Sequence, residues 1–150
     1  MKVGEHCTNQ VVVGETSDSL LDVARRMRLQ NTEYLVVIEK SGNYVIPKGI
    51  LTGRDIVNQI ILEDMDPKTM TLADIIINDT IIAREDDDVD NTIARMSEMG
   101  VRYLPVVNNS GFLTGIFTID DFIHVLSEEV NKLRSQVRSG ESPGQNLYSA

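Results

Sequence analysis

A seven-residue segment occurs twice in this chain, and the duplication limits the fold more than any other feature. Gly49-Ile50-Leu51-Thr52-Gly53-Arg54-Asp55 returns as Gly115-Ile116-Phe117-Thr118-Ile119-Asp120-Asp121. The match extends upstream, where Met27 and Met96, Tyr34 and Tyr103, Leu35 and Leu104, and Val37 and Val106 all lie 69 residues apart. At the two glycines the spacing has fallen to 66, which puts three additional residues in the first copy near residues 41–48, where Gly42, Asn43 and Pro47 mark a turn. Insertions are tolerated in surface loops, so the repeat survives it. One copy alone would bury too little surface for stability, and within 150 residues the two are expected to share a core.

Each copy reads as strand, helix, strand, strand, helix. In the first, residues 11–13 form a β-branched run, and Thr16, Ser17, Asp18 and Ser19 offer a cap for a helix with Leu20, Ala24 and Met27 on its apolar face. Arg25, Arg26 and Arg28 point elsewhere on that helix and read as a solvated face. Strands are predicted at residues 34–38 and 44–51, and a helix at about residues 55–62, with Pro67 ending the unit. The second copy repeats the plan with strands at 80–82, 101–107 and 112–117, a helix from about Val89 to Met99, and a last helix from Asp121. There Phe122, Leu126, Val130, Leu133 and Val137 step by three or four, a stripe longer than a single core needs and expected to bury against a partner chain. The expected division is residues 1–68, residues 69–138 and a tail at 139–150, where turn formers replace apolar periodicity.

Composition removes several classes of function. Apolar residues make up 41% and charged residues 25%, and no apolar run approaches the roughly 20 residues of a membrane span, so no membrane partner is expected. A net charge of −9 opposes general binding to phosphate backbones, so nucleic acid is not expected either. The N-terminus lacks a secretory apolar stretch and Cys7 is the single cysteine, which points to a reducing cytoplasm. His6 and His124 are too few for zinc, and Glu85, Asp86, Asp87 and Asp88 read as the acidic start of a helix, so no metal is predicted. The chain carries no Ser/His/Asp set, Walker loop or Gly-rich dinucleotide turn, and no enzymatic activity is expected.

The repeated motif has chemistry suited to a ribonucleotide. A glycine allows close backbone approach at the end of the last strand, and Ile50 or Ile116 supplies an apolar wall. Thr52 or Thr118 offers a hydroxyl at a helix start, where free amides favour an anion. Asp55 or Asp121, three residues on, can accept from both hydroxyls of a ribose. Thr-x-x-Asp ahead of an apolar run is equally a capping box that starts a helix without any ligand.

Gly49-Ile-Leu-Thr-x-x-Asp55, Gly100-Val-Arg-Tyr-Leu-Pro-Val-Val107 and Gly115-Ile-Phe-Thr-x-x-Asp121 together resemble the tandem cystathionine β-synthase (CBS) domain pair, or Bateman module, over about residues 3–133. The likeness is strongest to its small stand-alone bacterial members. The resemblance implies an α+β fold of two β-α-β-β-α repeats packed sheet to sheet about a pseudo-twofold axis, with two clefts and a homodimer. It implies a regulatory ligand of the AMP, ADP or ATP class, with NAD or S-adenosylmethionine as alternatives, and an unidentified regulated protein. A structural dimerisation or adaptor module with vestigial clefts is the other reading. Carried onto this chain, one cleft joins Ile50, Thr52, Arg54 and Asp55 to Ile76, Ile81, Arg102 and Tyr103. The other joins Ile116, Thr118, Asp120 and Asp121 to Cys7, Val12, Glu33 and Tyr34. Arginines on one side and carboxylates on the other imply that the Asp55 cleft prefers charged nucleotides and the Asp121 cleft a less charged adenosine compound. Val36 stands where Pro105 stands in the second copy.

Overall fold

The computed structural model describes residues 1–75 and 81–139; Ile76, Thr80 and the expected tail beyond Ser139 lie outside the described residues. After a short α1 (Val3–His6), the first repeat runs β1 (Val13–Glu15), α2 (Leu20–Leu29), β2 (Tyr34–Ser41), β3 (Tyr44–Thr52) and α3 (Gly53–Leu62). The second runs β4 (Ala83–Arg84), α4 (Val89–Met99), β5 (Tyr103–Val107), β6 (Leu113–Thr118) and α5 (Ile119–Ser139). In both, a helical crossover makes the first two strands parallel, and a hairpin makes the last two antiparallel.

The central strands explain how the layers assemble. Successive side chains leave opposite faces of a strand. Leu35 and Val37 pack beneath Leu20, Val23 and Met27 of α2, while Val36 and Ile38 face the other sheet and meet Ile116. In the second repeat Leu104 and Val106 pack with Val89 and Met96 of α4 and with Phe117. Each sheet therefore has helices on one face and the partner sheet on the other. The expected α+β architecture of two sheet-to-sheet repeats is the observed one.

The structure corrects two details of α2. Val23 and not Ala24 completes its apolar face: Val23 is wholly buried and Ala24 is exposed. Positions three and four beyond Leu20 both border its stripe, and valine gains more than alanine by burial. Arg26 is also no solvated cation. Its guanidinium donates to the Val13 carbonyl at 2.6 Å and to Asp18 at 3.2 Å. The partners recur at the repeat spacing, with Arg95 donating to the Ile82 carbonyl at 2.8 Å and lying 3.7 Å from Asp87. Each arginine ties its helix to the entry of the first strand.

The surplus of the first repeat extends its hairpin to a Ser41–Tyr44 pair, with Gly42 at φ +62° in the turn. Both hairpins carry an irregularity at the same place, after Val37 and after Val106, so the insertion leaves the Gly-to-Asp segment in register.

The leaders of the two repeats are exchanged. Residues 1–8 precede the first repeat but pack on the second: Val3 is fully buried with Ala83, Val89 and Phe117, and Val3 N–H donates to Asp87 O at 2.9 Å. A 3-10 turn at Leu72–Asp74 precedes the second repeat but closes the first, with Leu72 in the core beside Leu20 and its N–H donating to Asp18 O at 3.0 Å. Each core draws its cap from across the 68/69 division. Leu72→Ala is expected to lower the unfolding free energy by about 2–5 kcal/mol. The loss should appear as a lower denaturant midpoint in one transition at unchanged slope, because neither repeat is closed without the other's leader.

Candidate functional site

The Thr-x-x-Asp motifs of the repeated segment fold as matched capping boxes. Thr118 N–H and Oγ1–H donate to Asp121 Oδ2 at 2.9 and 3.1 Å, and Asp121 N–H donates back to Thr118 Oγ1 at 3.1 Å. For Thr52 and Asp55 the same three bonds are 2.9, 2.9 and 3.2 Å. The next amides are engaged as well, Gly53 N–H with Glu33 O at 3.0 Å and Ile119 N–H with Arg102 O at 3.2 Å. The expectation of free amides for an anion is thereby corrected. The first turn is largely consumed in starting the helix.

The second box borders a cleft of about 1580 Å3 between the repeats. Thr118, Asp120 and Asp121 form one edge, residues 8–15 the wall beside it, the end of α2 with Glu33 and Tyr34 another side, and Arg102 and Tyr103 the side shared with the other repeat. A backbone ladder fixes the entering arm. Thr8 N–H donates to Ile116 O and Ile116 N–H to Thr8 O, both at 2.9 Å. Gly115 makes this crossing possible, because a Cβ there would meet Cys7 Sγ and Thr8 O at 2.8 Å. The close approach expected of the motif glycine is thus an approach of the chain's own arm. Thr8 Oγ1 then donates to Asp121 Oδ1 at 3.2 Å, so both carboxylate oxygens are engaged.

Of the residues assigned to this cleft from sequence, Val12, Glu33, Tyr34, Thr118, Asp120 and Asp121 line it. Cys7 sits behind Gly115, and Ile116 is fully buried between the sheets. Arg102 and Tyr103, assigned beside Asp55, line the Asp121 cleft. The reason is the pseudo-twofold axis, which brings the Tyr34 and Tyr103 rings to 4.2 Å. Ile50 packs on the inter-sheet cluster, Ile81 packs on the second core, and Arg54 is exposed on the first turn of α3. Ile76 lies outside the described residues. Sequence reading missed Thr8, Arg28 and Lys40 as cleft residues; the bound arm brings in the first, and the helix end and strand β2 the others.

Charges of both signs line the cleft. Lys40 lies 3.8 Å from Glu15 and Arg26 3.2 Å from Asp18, while Asp120 and Asp121 stand at the box. Burial first, then the charge of Asp121, raises the Tyr34 hydroxyl above its ordinary value. Tyr103 is raised by burial and by donating to Glu33 Oε2 at 3.1 Å. The Asp18 carboxyl is lowered, chiefly by accepting from the Glu15 amide and then by Arg26. Burial, Asp121 and Glu85 together push the Cys7 thiol up. Among the described residues no group of three or more His, Cys, Asp or Glu is placed to hold a metal, and no helix is long and apolar enough to cross a membrane. Asp88 caps α4 by accepting from Asn91 N–H at 3.1 Å, the helix-start role read for the acidic run.

The CBS domain family model matches residues 3–62 and 72–128, and the chain belongs to that family. An uncharacterized 17.7 kDa protein of Acidianus ambivalens is 32% identical over 128 residues, 83% of this chain and 73% of its own length. The uncharacterized protein MK0525 of Methanopyrus kandleri is 27% identical over 144 residues, 91% of this chain and 72% of its own. Two solved structures share the fold. The CBS domain pair of protein MJ0100, in complex with 5′-methylthioadenosine and S-adenosyl-L-methionine, superposes at TM-score 0.71 with 22% identity, covering 84% of this chain and 99% of that one. The CBS domain protein PAE2072 of Pyrobaculum aerophilum, complexed with AMP, gives 0.70 and 21%, covering 81% and 89%.

The electrostatic link between arm and box is measurable. In Asp121→Asn the Cys7 thiol loses a repelling carboxylate, so its pKa falls and more thiolate is present at a given pH. The midpoint of the pH profile for iodoacetamide alkylation is expected to move down. An unmoved midpoint, whatever happens to the plateau rate, would place Cys7 away from Asp121.

Proposed function

We propose that this protein is a non-catalytic regulatory module that binds an adenosine-containing small molecule at the Asp121 cleft, and at the related Asp55 cleft, and reports its level through a change in shape or partner affinity. The observation that carries the reading is the Thr118–Asp121 box at the mouth of a large cleft between repeats. Asp121 is positioned to accept from ribose hydroxyls, which would take over the contact that Thr8 Oγ1 now makes at 3.2 Å. Val11, Val12 and Tyr34 give apolar surface for a base. The MJ0100 complex with 5′-methylthioadenosine and S-adenosyl-L-methionine and the PAE2072 complex with AMP support adenosine as the shared element.

The two boxes differ in charge. Arg54 occupies in the first repeat the position of Asp120 in the second. A carboxylate beside a phosphate is repulsive and an arginine adds charge-assisted hydrogen bonds. AMP, ADP and ATP are therefore assigned preferentially to the Asp55 cleft. A weakly charged adenosine compound is assigned to the Asp121 cleft, where Arg102 offsets part of the acidity. Ligand bridging the arm and α5 stabilises one arrangement of the repeats over another, which is what regulation requires.

Thermal unfolding against AMP, ADP, ATP, NAD, S-adenosylmethionine, 5′-methylthioadenosine and GTP tests the reading. An adenosine compound at one hundred times its dissociation constant is expected to stabilise by about 2.7 kcal/mol. GTP should do little. Asp121→Ala should remove the shift given by weakly charged compounds, and Asp55→Ala that given by nucleotides. Absence of a shift with every adenosine compound would favour the structural adaptor.

A further inference from the structure

A short frame joins the two helix-start boxes across the pseudo-twofold axis. In each repeat the central strand begins with a tyrosine that stands opposite the box threonine on the next strand, Tyr34 opposite Thr52 and Tyr103 opposite Thr118. The residue before each tyrosine receives the first amide after that threonine: Glu33 O accepts from Gly53 N–H at 3.0 Å, and Arg102 O from Ile119 N–H at 3.2 Å. The two rings lie 4.2 Å apart, so the route from box to box is a cross-strand neighbour, two rings in contact and a second cross-strand neighbour.

One bond breaks the symmetry of this frame. Glu33 and Arg102 hold the same place in the two repeats, at the spacing of 69 that relates Tyr34 to Tyr103. A carboxylate only accepts and a guanidinium only donates, so the two tyrosine hydroxyls have unlike neighbours. Tyr103 donates to Glu33 Oε2 at 3.1 Å, a bond that crosses from one repeat to the other. Burial and Glu33 raise this hydroxyl and Arg102 lowers it, so both charged side chains bear on it. A single hydrogen bond thus ties the tyrosine of the second repeat to the residue that holds the first amide of α3.

We propose that the Glu33–Tyr103 bond couples the two clefts, so that a ligand at one box tightens binding at the other. The inference rests on the adenosine reading of both boxes, and Tyr103 acts in it as a positioning residue. Glu33 and Tyr103 both border the Asp121 cleft, so a compound held there restrains the bond, and the backbone of Glu33 holds Gly53 beside the Thr52–Asp55 box. Glu33 is an exposed side chain, and ordering it costs rotamer freedom. The first ligand bears that cost and the second meets a frame already ordered, which gives positive coupling without a large movement. The same factor must then appear in both directions.

The test uses the full chain, with AMP as the probe for the Asp55 cleft and 5′-methylthioadenosine for the Asp121 cleft. By isothermal titration calorimetry the parent chain is expected to bind AMP severalfold more tightly when saturated with 5′-methylthioadenosine, and the converse titration to give the same factor. In Tyr103→Phe the factor should vanish, whatever the change does to either affinity alone. Glu33→Ala should lose it as well, whereas Glu33→Gln keeps an acceptor for the hydroxyl and should retain it. A ligand-free measurement accompanies the titrations. Amide hydrogen exchange at Gly53, in the other repeat, should be severalfold faster in a Tyr103→Phe protein that thermal unfolding shows to be folded. Absence of coupling in the parent chain overturns the inference, as does simple displacement of AMP by 5′-methylthioadenosine or a factor that survives in Tyr103→Phe. If neither compound binds, the adenosine reading fails and exchange at Gly53 decides the link: unchanged exchange overturns it, and faster exchange upholds it.

Discussion

Val3 has no exposed surface and lies in the core of the second repeat, while Leu72 does the same for the first, so each half of the molecule is closed by the segment that leads into the other. The exchange ties the two repeats into one cooperative structure more firmly than the inter-sheet cluster of Val36, Ile38 and Ile116 could alone. It also dictates the route of the chain. To reach the second core, the N-terminal arm must cross β6 at Ile116, and that crossing requires the absence of a side chain at Gly115. The cleft is a by-product of the same path, since residues 8–15 pass from one repeat to the other and form its wall.

The Thr-x-x-Asp box illustrates how a structural device and a binding device coincide. All three of its bonds serve to start α5, and the same carboxylate faces the cleft and holds Thr8. Choosing between a cap and a ligand site is therefore unnecessary for Asp121. With Thr118 donating twice to Oδ2, the carboxylate stays fixed when a ligand hydroxyl replaces Thr8 at Oδ1, so binding there costs little entropy. Helix α5 begins at this box and extends 21 residues to Ser139, so its N-terminal turn belongs to the cleft and its far half stands clear of the core.

Electrostatics in the cleft are balanced and local. Arg26 with Asp18 and Lys40 with Glu15 neutralise one another along the wall, and Tyr103 occupies Glu33. The acidic net charge of the whole chain therefore says little about the cleft, where Arg28 and Arg102 stand among the carboxylates. The contrast between Arg54 and Asp120 distinguishes the two boxes more sharply than overall composition does.

The sequence by itself determined the duplication, the order of elements and the helix starts, because these follow from local periodicity and from capping chemistry within four residues. Helix α4 spans Val89–Met99 as its pattern required, and both boxes formed where Thr-x-x-Asp stood. Elements too short to carry a period escaped the reading: α1 at Val3–His6 exists because a distant core accepts one buried side chain, and the 3-10 turn at Leu72–Asp74 carried a Thr-x-x-Asp cap at Thr71 and Asp74 but no apolar period behind it. The Arg26 and Arg95 braces were hidden for a different reason, since their partners are carbonyl oxygens, which any residue supplies. Only the tertiary structure decided which leader closes which repeat, that Arg102 and Tyr103 reach the Asp121 cleft, and that Phe122 turns inward while Ile123 does not. Those outcomes depend on how two sheets pack about their pseudo-twofold axis, a relation between residues far apart in the chain that no local pattern encodes.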